Sequence, residues 1–172
     1  MNIYLIGFMG SGKSTIGACL AEKMNYNWFD LDEVIVERNN RSVAQIFTNY
    51  GELFFRKEET TVLRSTAALQ NTIISCGGGT PCFFDNMAWI NRNGVSVFID
   101  PSVEILLKRL TIGKDKRPLL RNKSNEELLA YIEEKLKERR TYYEMAQIHY
   151  FNEDFDADAC PAVLDLINNY QE

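Results

Sequence analysis

The sequence predicts an α/β fold with a mainly parallel sheet, and three observations lead there. Short apolar runs alternate along the chain with stretches of helical periodicity. The segment Gly7-Phe8-Met9-Gly10-Ser11-Gly12-Lys13-Ser14 reads G-x-x-x-x-G-K-S and falls between the first such run and the first such stretch. The length of 172 residues, 45% apolar and 25% charged, suits one globular domain with its own core.

The elements follow in order. Ile3-Tyr4-Leu5-Ile6, within residues 2–6, reads as a buried strand, and Ile16, Leu20 and Met24 recur at helical spacing behind the glycine-rich loop. Residues 27–31 form a second strand. Val43, Ile46, Phe47 and Tyr50 follow the i, i+3, i+4, i+7 pattern behind Ser42, an N-cap residue. Residues 52–69 make a longer helix. Strands are expected at 72–76, 95–99 and 147–151. Ser102 caps a helix carrying Val103, Leu106, Leu107 and Leu110. Ser124 and Glu127 form a capping box before Leu128, Leu129, Ile132 and Leu136. Pro161 suits the first turn of a last helix with Val163, Leu164 and Ile167. In such folds ligands bind outside the carboxyl ends of the strands, so functional residues should follow strands.

The loop after the first strand is a phosphate cradle by its chemistry. Glycines let backbone N–H groups turn inward toward phosphate oxygens, and the helix N-terminus adds unpaired donors and its dipole. Lys13 would reach the β- and γ-phosphates, and the Ser14 hydroxyl would ligate a magnesium ion. Asp30-Leu31-Asp32 ends the second strand. Alternate strand residues point the same way, so both carboxylates can face one site, one for the metal and one for a substrate hydroxyl. Gly77-Gly78-Gly79 follows the third strand and reads either as a flexible turn or, as Pro81 just after it favours, as backbone that approaches a ligand closely. Arg56 and Glu59 are i, i+3 neighbours. They read either as a surface salt bridge or as a guanidinium held ready for a substrate carboxylate. Phe47 and Phe55 read as core. Residues 111–125 are polar and basic with little periodicity, either a solvated loop or, as the nucleotide favours, a lid.

The remaining features limit the function. The net charge of −5 argues against nucleic acid as the main partner, though not against a small anionic substrate. No apolar run is long enough to span a membrane. With the loop beginning at residue 7, no signal peptide is expected, and the protein is expected in the cytoplasm. Cys19, Cys76, Cys82 and Cys160 match no zinc spacing and are expected to be reduced thiols. His149, the single histidine, is assigned no role, which leaves Ser–His and Cys–His nucleophilic chemistry unsupported.

Taken in order, G-F-M-G-S-G-K-S, D-L-D, G-E-x-x-F-R-x-x-E, G-G-G and R-P-L-L resemble the shikimate kinase family, small P-loop kinases of the nucleoside-monophosphate-kinase type. The resemblance runs from Ile3 to the helix ending near Tyr143. It implies a three-layer P-loop fold, with a five-stranded parallel sheet flanked by helices, substrate-binding helices at about 33–62 and a mobile lid at about 111–125. It implies transfer of the ATP γ-phosphate to the 3-hydroxyl of shikimate by a monomer that uses Mg²⁺. Gly10, Ser11, Gly12, Lys13, Ser14 and Thr15 resemble the ATP-phosphate cradle. Ser14 resembles the Mg²⁺ ligand, with Asp30 acting through water. Asp32 matches the residue that holds the substrate hydroxyls and is the candidate base. Arg56, with Glu59 as its partner, and Arg139 match the two arginines that bind the shikimate carboxylate. Gly77, Gly78 and Gly79 match the glycines lining that site. Arg117 matches the lid arginine that meets the transferring phosphate, and Arg109 the arginine packed on adenine.

Two places depart from the family pattern. The spacing from Tyr143 to Ala146 is one residue shorter than is common, and Arg140 beside Arg139 leaves open which arginine acts. Asn152-Glu153-Asp154-Phe155-Asp156 carries no adenine motif that aligns. Rival readings are another small-molecule kinase, such as a gluconate or nucleoside-monophosphate kinase, and a nucleotide switch without an acceptor.

Overall fold

Five parallel strands form the sheet, in the order β2-β3-β1-β4-β5: β1 (Ile3–Ile6), β2 (Asn27–Asp30), β3 (Thr72–Ser75), β4 (Val95–Pro101) and β5 (Ile148–Asn152). The computed structural model describes residues 1–113, 120, 122–155 and 158–171. Among these are seven α-helices: α1 (Lys13–Met24), α2 (Leu31–Asn39), α3 (Val43–Ser65), α4 (Asn86–Asn93), α5 (Val103–Ile112), α6 (Asn125–Tyr143) and α7 (Ala159–Gln171).

Alternation along β1 builds the layers. Ile3 and Leu5 face one side, where Ile16 and Leu20 of α1 and Val163 and Ile167 of α7 pack over them with Ile73 and Val97. Tyr4 and Ile6 face the other side. There they meet Ile74 and Phe98 and the apolar faces of α2 to α6, including Ile35, Phe55, Ile90, Leu106 and Leu136. The central strand is wholly buried, as expected for a parallel sheet covered on both faces. Strand order reverses at β1, which pairs with both β3 and β4, and this switch point opens the crevice above the carboxyl edge.

The predicted caps are present. Ser42 and Ser124 form full capping boxes with Gln45 and Glu127, and Ser102 accepts the Ile105 N–H. Gly51, at φ 81° and ψ 170°, breaks α3 into two segments, which accounts for the separate helical patterns before and after it. The second segment gives way to a 3₁₀ turn at Thr66–Ala68.

Two sequence expectations are corrected. Asp32 is not a strand residue. β2 ends at Asp30, whose side chain caps α2 by accepting the N–H groups of Asp32 and Glu33, so Asp32 stands on the first helical turn. Cys19 and Cys160 are not free thiols but a disulfide, Cα–Cα 6.3 Å apart. α1 and α7 pack on the same face of the sheet and join residues 141 positions apart, a proximity that cysteine spacing does not encode. Cys76 and Cys82 remain free. Two helices were not foreseen, α2 as a separate element and α4. The eight-residue α4 buries Asn86 beside Met87 and Ile90, so its apolar signal is brief. Among the described residues no helix is long and apolar enough to cross a membrane.

Candidate active site

A cleft of about 640 Å³ lies over the carboxyl edge of the sheet. Gly10, Gly12, Lys13, Ser14, Thr15, Asp30, Asp32, Gly77, Gly78 and Arg109 all line it. The segments that follow β1, β2 and β3 therefore converge, as the fold class requires.

At one end is the glycine-rich loop. Gly10 and Gly12 adopt positive φ, 79° and 100°, which curls the backbone into the turn that opens α1. Lys13 is buried, and its Nζ donates to the carbonyls of Gly7 (2.9 Å) and Phe8 (2.8 Å). The ammonium thus lies across the loop, at the mouth of the cradle where phosphate oxygens would compete for it. Arg109, from α5, donates to the Ser11 carbonyl at 2.9 Å and so roofs the same loop. Ser14 Oγ donates to Asp30 Oδ2 at 2.8 Å. A hydroxyl and a carboxylate in contact at a phosphate cradle are the hard oxygen donors that Mg²⁺ takes alongside waters and phosphates, so these residues fit that ion. No cluster of three or more His, Cys, Asp or Glu side chains fit to cage a metal occurs among the described residues.

At the other end the glycine run closes over charged side chains. A methyl group on Gly77 would lie 2.6 Å from Glu59 Oε1 and 3.0 Å from Asp32 Oδ1, and one on Gly79 would lie 2.5 Å from an Arg56 guanidinium nitrogen. Glycine is needed at both positions because these groups press on the backbone. Arg56 (7% exposed) binds the fully buried Glu59 at 3.1 Å and Glu52 at 3.1 Å, and its guanidinium sits 4.3 Å from the Phe83 ring centre. Glu59 accepts a second hydrogen bond from Thr80 Oγ1 at 2.6 Å. Asn86 in turn donates to the Thr80 carbonyl at 2.9 Å. The Arg56–Glu59 pair is therefore a buried, braced ion pair and not a surface salt bridge.

Burial, and then the neighbouring Glu59 and Asp30 carboxylates, push the Asp32 carboxyl up to about 6, against the partial opposition of Lys13 and Arg56. Burial also raises Glu59, with Arg56 and Thr80 opposing. A carboxylate tuned toward neutrality beside a phosphate cradle is suited to accepting a hydroxyl proton.

The two adjacent arginines of α6 point to different places. Arg140 is tied to Asp100 at 3.1 Å and to Glu144 at 3.4 Å on the outer surface. Arg139 turns inward, 5.8 Å from the Phe8 ring centre, and a methyl on Gly78 would come within 3.5 Å of it. Tyr143, one turn on, donates its hydroxyl to the Gly78 carbonyl. The cleft lining thus takes in Lys13, Ser14, Asp30, Asp32, Gly77, Gly78 and Arg109, while Arg56 packs against Gly79 and Arg139 against Gly78 without lining it. Arg117 lies outside the described residues.

Sequence reading missed Thr80, Phe83 and the Tyr143 hydroxyl as braces, and Asp158, Cys19 and Cys160 as cleft-lining residues. Helical spacing toward the core, already visible from Leu128 to Leu136, was the available signal for Tyr143. Nothing local marked the others.

The family model described as shikimate kinase matches residues 9–167. A shikimate kinase of Phocaeicola vulgatus is 45% identical over 88% of this chain and 86% of its own length. The crystal structure of shikimate kinase from Bacteroides thetaiotaomicron superposes with a TM-score of 0.93 at 36% identity, covering 99% of this chain and 98% of that one. Shikimate kinase from Acinetobacter baumannii, solved in complex with shikimate, superposes with a TM-score of 0.86 at 32% identity, covering 98% and 93%. A family-model match over residues 9–167, a 45% identical relative and a fold that superposes over nearly the whole chain place it: the chain belongs to the shikimate kinase family.

Proposed function

We propose that this cleft transfers the γ-phosphate of ATP to the 3-hydroxyl of shikimate, giving shikimate 3-phosphate and ADP. The observation that carries the reading is that one cleft holds both a phosphate cradle and Asp32, a carboxylate whose pKa is raised, beside a glycine run against which two inward arginines, Arg56 and Arg139, are packed. Phosphoryl transfer asks the protein mainly for alignment and for neutralisation of charge.

In this reading Gly10, Ser11, Gly12, Lys13, Ser14 and Thr15 hold the ATP phosphates, and Arg109 packs on adenine. Lys13 leaves the loop carbonyls for the β/γ-phosphates. Ser14 would hold Mg²⁺, with Asp30 acting on it through water. When bound, the ion neutralises charge on the phosphate oxygens. Asp32 orients the attacking hydroxyl and takes its proton. Arg56 and Arg139 grip the shikimate carboxylate at the far side of the ring, and Gly77, Gly78 and Gly79 line that side. This two-point hold selects the hydroxyl that faces ATP. Arg117, which lies outside the described residues, is assigned to the transferring phosphate. The chain acts as a single kinase domain, as a monomer in the cytoplasm, with neither nucleic acid nor membrane as a partner.

ADP release measured with and without shikimate, and with gluconate in its place, tests the reading. Turnover dependent on shikimate is expected. ADP release that shikimate leaves unchanged would defeat it in favour of a nucleotide switch, and preference for gluconate would defeat it in favour of another small-molecule kinase.

A further inference from the structure

We propose that Cys19 and Cys160 are a reversible thiol–disulfide site that sets the affinity of the cleft for nucleotide, with small disulfides and dithiols as its reactants. The bond joins the two walls of the nucleoside end. Cys19 sits on α1, the helix that opens with Lys13, and Cys160 sits in the first turn of α7. Both line the cleft with Thr15, Ile16, Arg109 and Asp158, whereas Arg56 and Glu59 do not. Asp158 Oδ1 accepts the Cys160 N–H at 3.1 Å, so the turn that begins α7 is fixed to the same cysteine.

Position and chemistry separate this pair from the other two cysteines. Cys19 is half-buried in the open cleft, within reach of a small reagent. Burial drives the Cys76 and Cys82 thiols up, to about 11 for Cys82, which leaves little of the thiolate needed for exchange. In the cytoplasm, disulfides that form are usually transient and redox-sensing.

The exchange balances as follows. The Cys19 thiolate attacks one sulfur of a small disulfide and releases one small thiolate. The Cys160 thiolate then attacks the Cys19 sulfur and releases the second. One S–S bond is made and one broken. The two cysteines are oxidised, the small disulfide is reduced to two thiols, and the two cysteine protons pass to them.

The effect on nucleotide follows from packing. The disulfide is the covalent tie between α1 and the start of α7, so reduction removes a constraint on the nucleoside wall. The oxidised wall is pre-organised and binds nucleotide more tightly. A coupling at the low end of the usual range gives roughly fivefold tighter ADP binding in the oxidised form. Linkage then requires ADP to favour the disulfide by the same factor, a shift of about 20 mV in its midpoint potential.

The inference rests on the cleft taking a nucleotide. The test is ADP titration calorimetry on the full chain, oxidised with glutathione disulfide or reduced with dithiothreitol, with thiols counted by alkylation and mass. The expected results are two thiols lost on oxidation, ADP bound about fivefold more tightly, and, in Cys160→Ser, one glutathione held as a mixed disulfide with no tightening of ADP. All four thiols persisting, equal ADP affinity in the two states, tighter binding by the reduced form, or oxidant-induced tightening of ADP surviving in Cys160→Ser each overturns the switch while leaving the nucleotide reading standing. ADP binding in neither state overturns both.

Discussion

Replacing Arg56 by alanine should separate the brace it provides in the fold from the binding role proposed for it. Arg56 braces the fold through Glu59 and, in the proposed mechanism, grips the substrate carboxylate. Its guanidinium lies 3.1 Å from Glu59, which is 0% exposed, so Arg56→Ala leaves a carboxylate buried without its cation. Breaking such a pair costs about 3–5 kcal/mol. Glu59 keeps its Thr80 hydrogen bond, and its carboxyl, already raised by burial, can take up a proton, so the loss should fall at about 3 kcal/mol. For a chain of this size that lowers Tm by about 6–12 °C. Loss of a charge-assisted contact worth about 1.5–3 kcal/mol should raise the shikimate KM roughly ten- to 150-fold. The Arg56→Ala/Glu59→Gln double variant removes the orphaned charge, so its Tm should recover while its shikimate KM stays high. Calorimetry and initial rates on the three proteins decide the matter. Recovery of shikimate KM together with Tm would refute the binding role, and so would a parallel rise in ATP KM.

Other outcomes follow from the same geometry. Asp32→Asn should cut kcat by orders of magnitude, and the wild-type fall in kcat/KM below about pH 6 should vanish with it. The same substitution should raise stability at neutral pH. The folded chain holds the Asp32 proton up to about 6 and the unfolded chain only to 3.8, so the stability of the protonated group is lost as pH rises through that window. For this half-buried group the gain is at most about 3 kcal/mol, read as Tm against pH. Gly79→Ala should raise shikimate KM with ATP KM unchanged, because the new methyl would stand 2.5 Å from an Arg56 nitrogen. Arg139→Ala should raise shikimate KM at least tenfold, whereas Arg140→Ala, which loses only surface ties to Asp100 and Glu144, should leave it unchanged.

What the sequence made legible was whatever local physics dictates. The caps at Ser42, Ser102 and Ser124 depend on neighbours a few residues away, and they stand as read. So does the alternation of strand and helix that sets the sheet. The motifs after β1, β2 and β3 could be placed around one cleft because a parallel sheet puts its strand ends on one edge. Tertiary facts were not legible. Nothing near Arg56 in the chain announces Thr80 or Phe83, and only the packing of the Gly77–Gly79 turn against α3 turns an i, i+3 pair into a buried one. The choice between Arg139 and Arg140 was equally closed until Asp100 was seen to hold the second of them outside. The Cys19–Cys160 bond depends on α1 and α7 sharing one face of the sheet. Asp32 was misplaced for a local reason: D-L-D fits a strand end by alternation and a helix start by capping, and the Asp30 carboxylate decides for the cap.

The most direct test of the central claim is the identity of the product. The purified chain is mixed with ATP, Mg²⁺ and shikimate, and the mixture is followed by ³¹P and ¹H nuclear magnetic resonance. A phosphomonoester coupled to the proton at carbon 3 of shikimate, formed one-for-one with ADP, is predicted. Inorganic phosphate in its place, or a phosphate on another hydroxyl, would contradict the account.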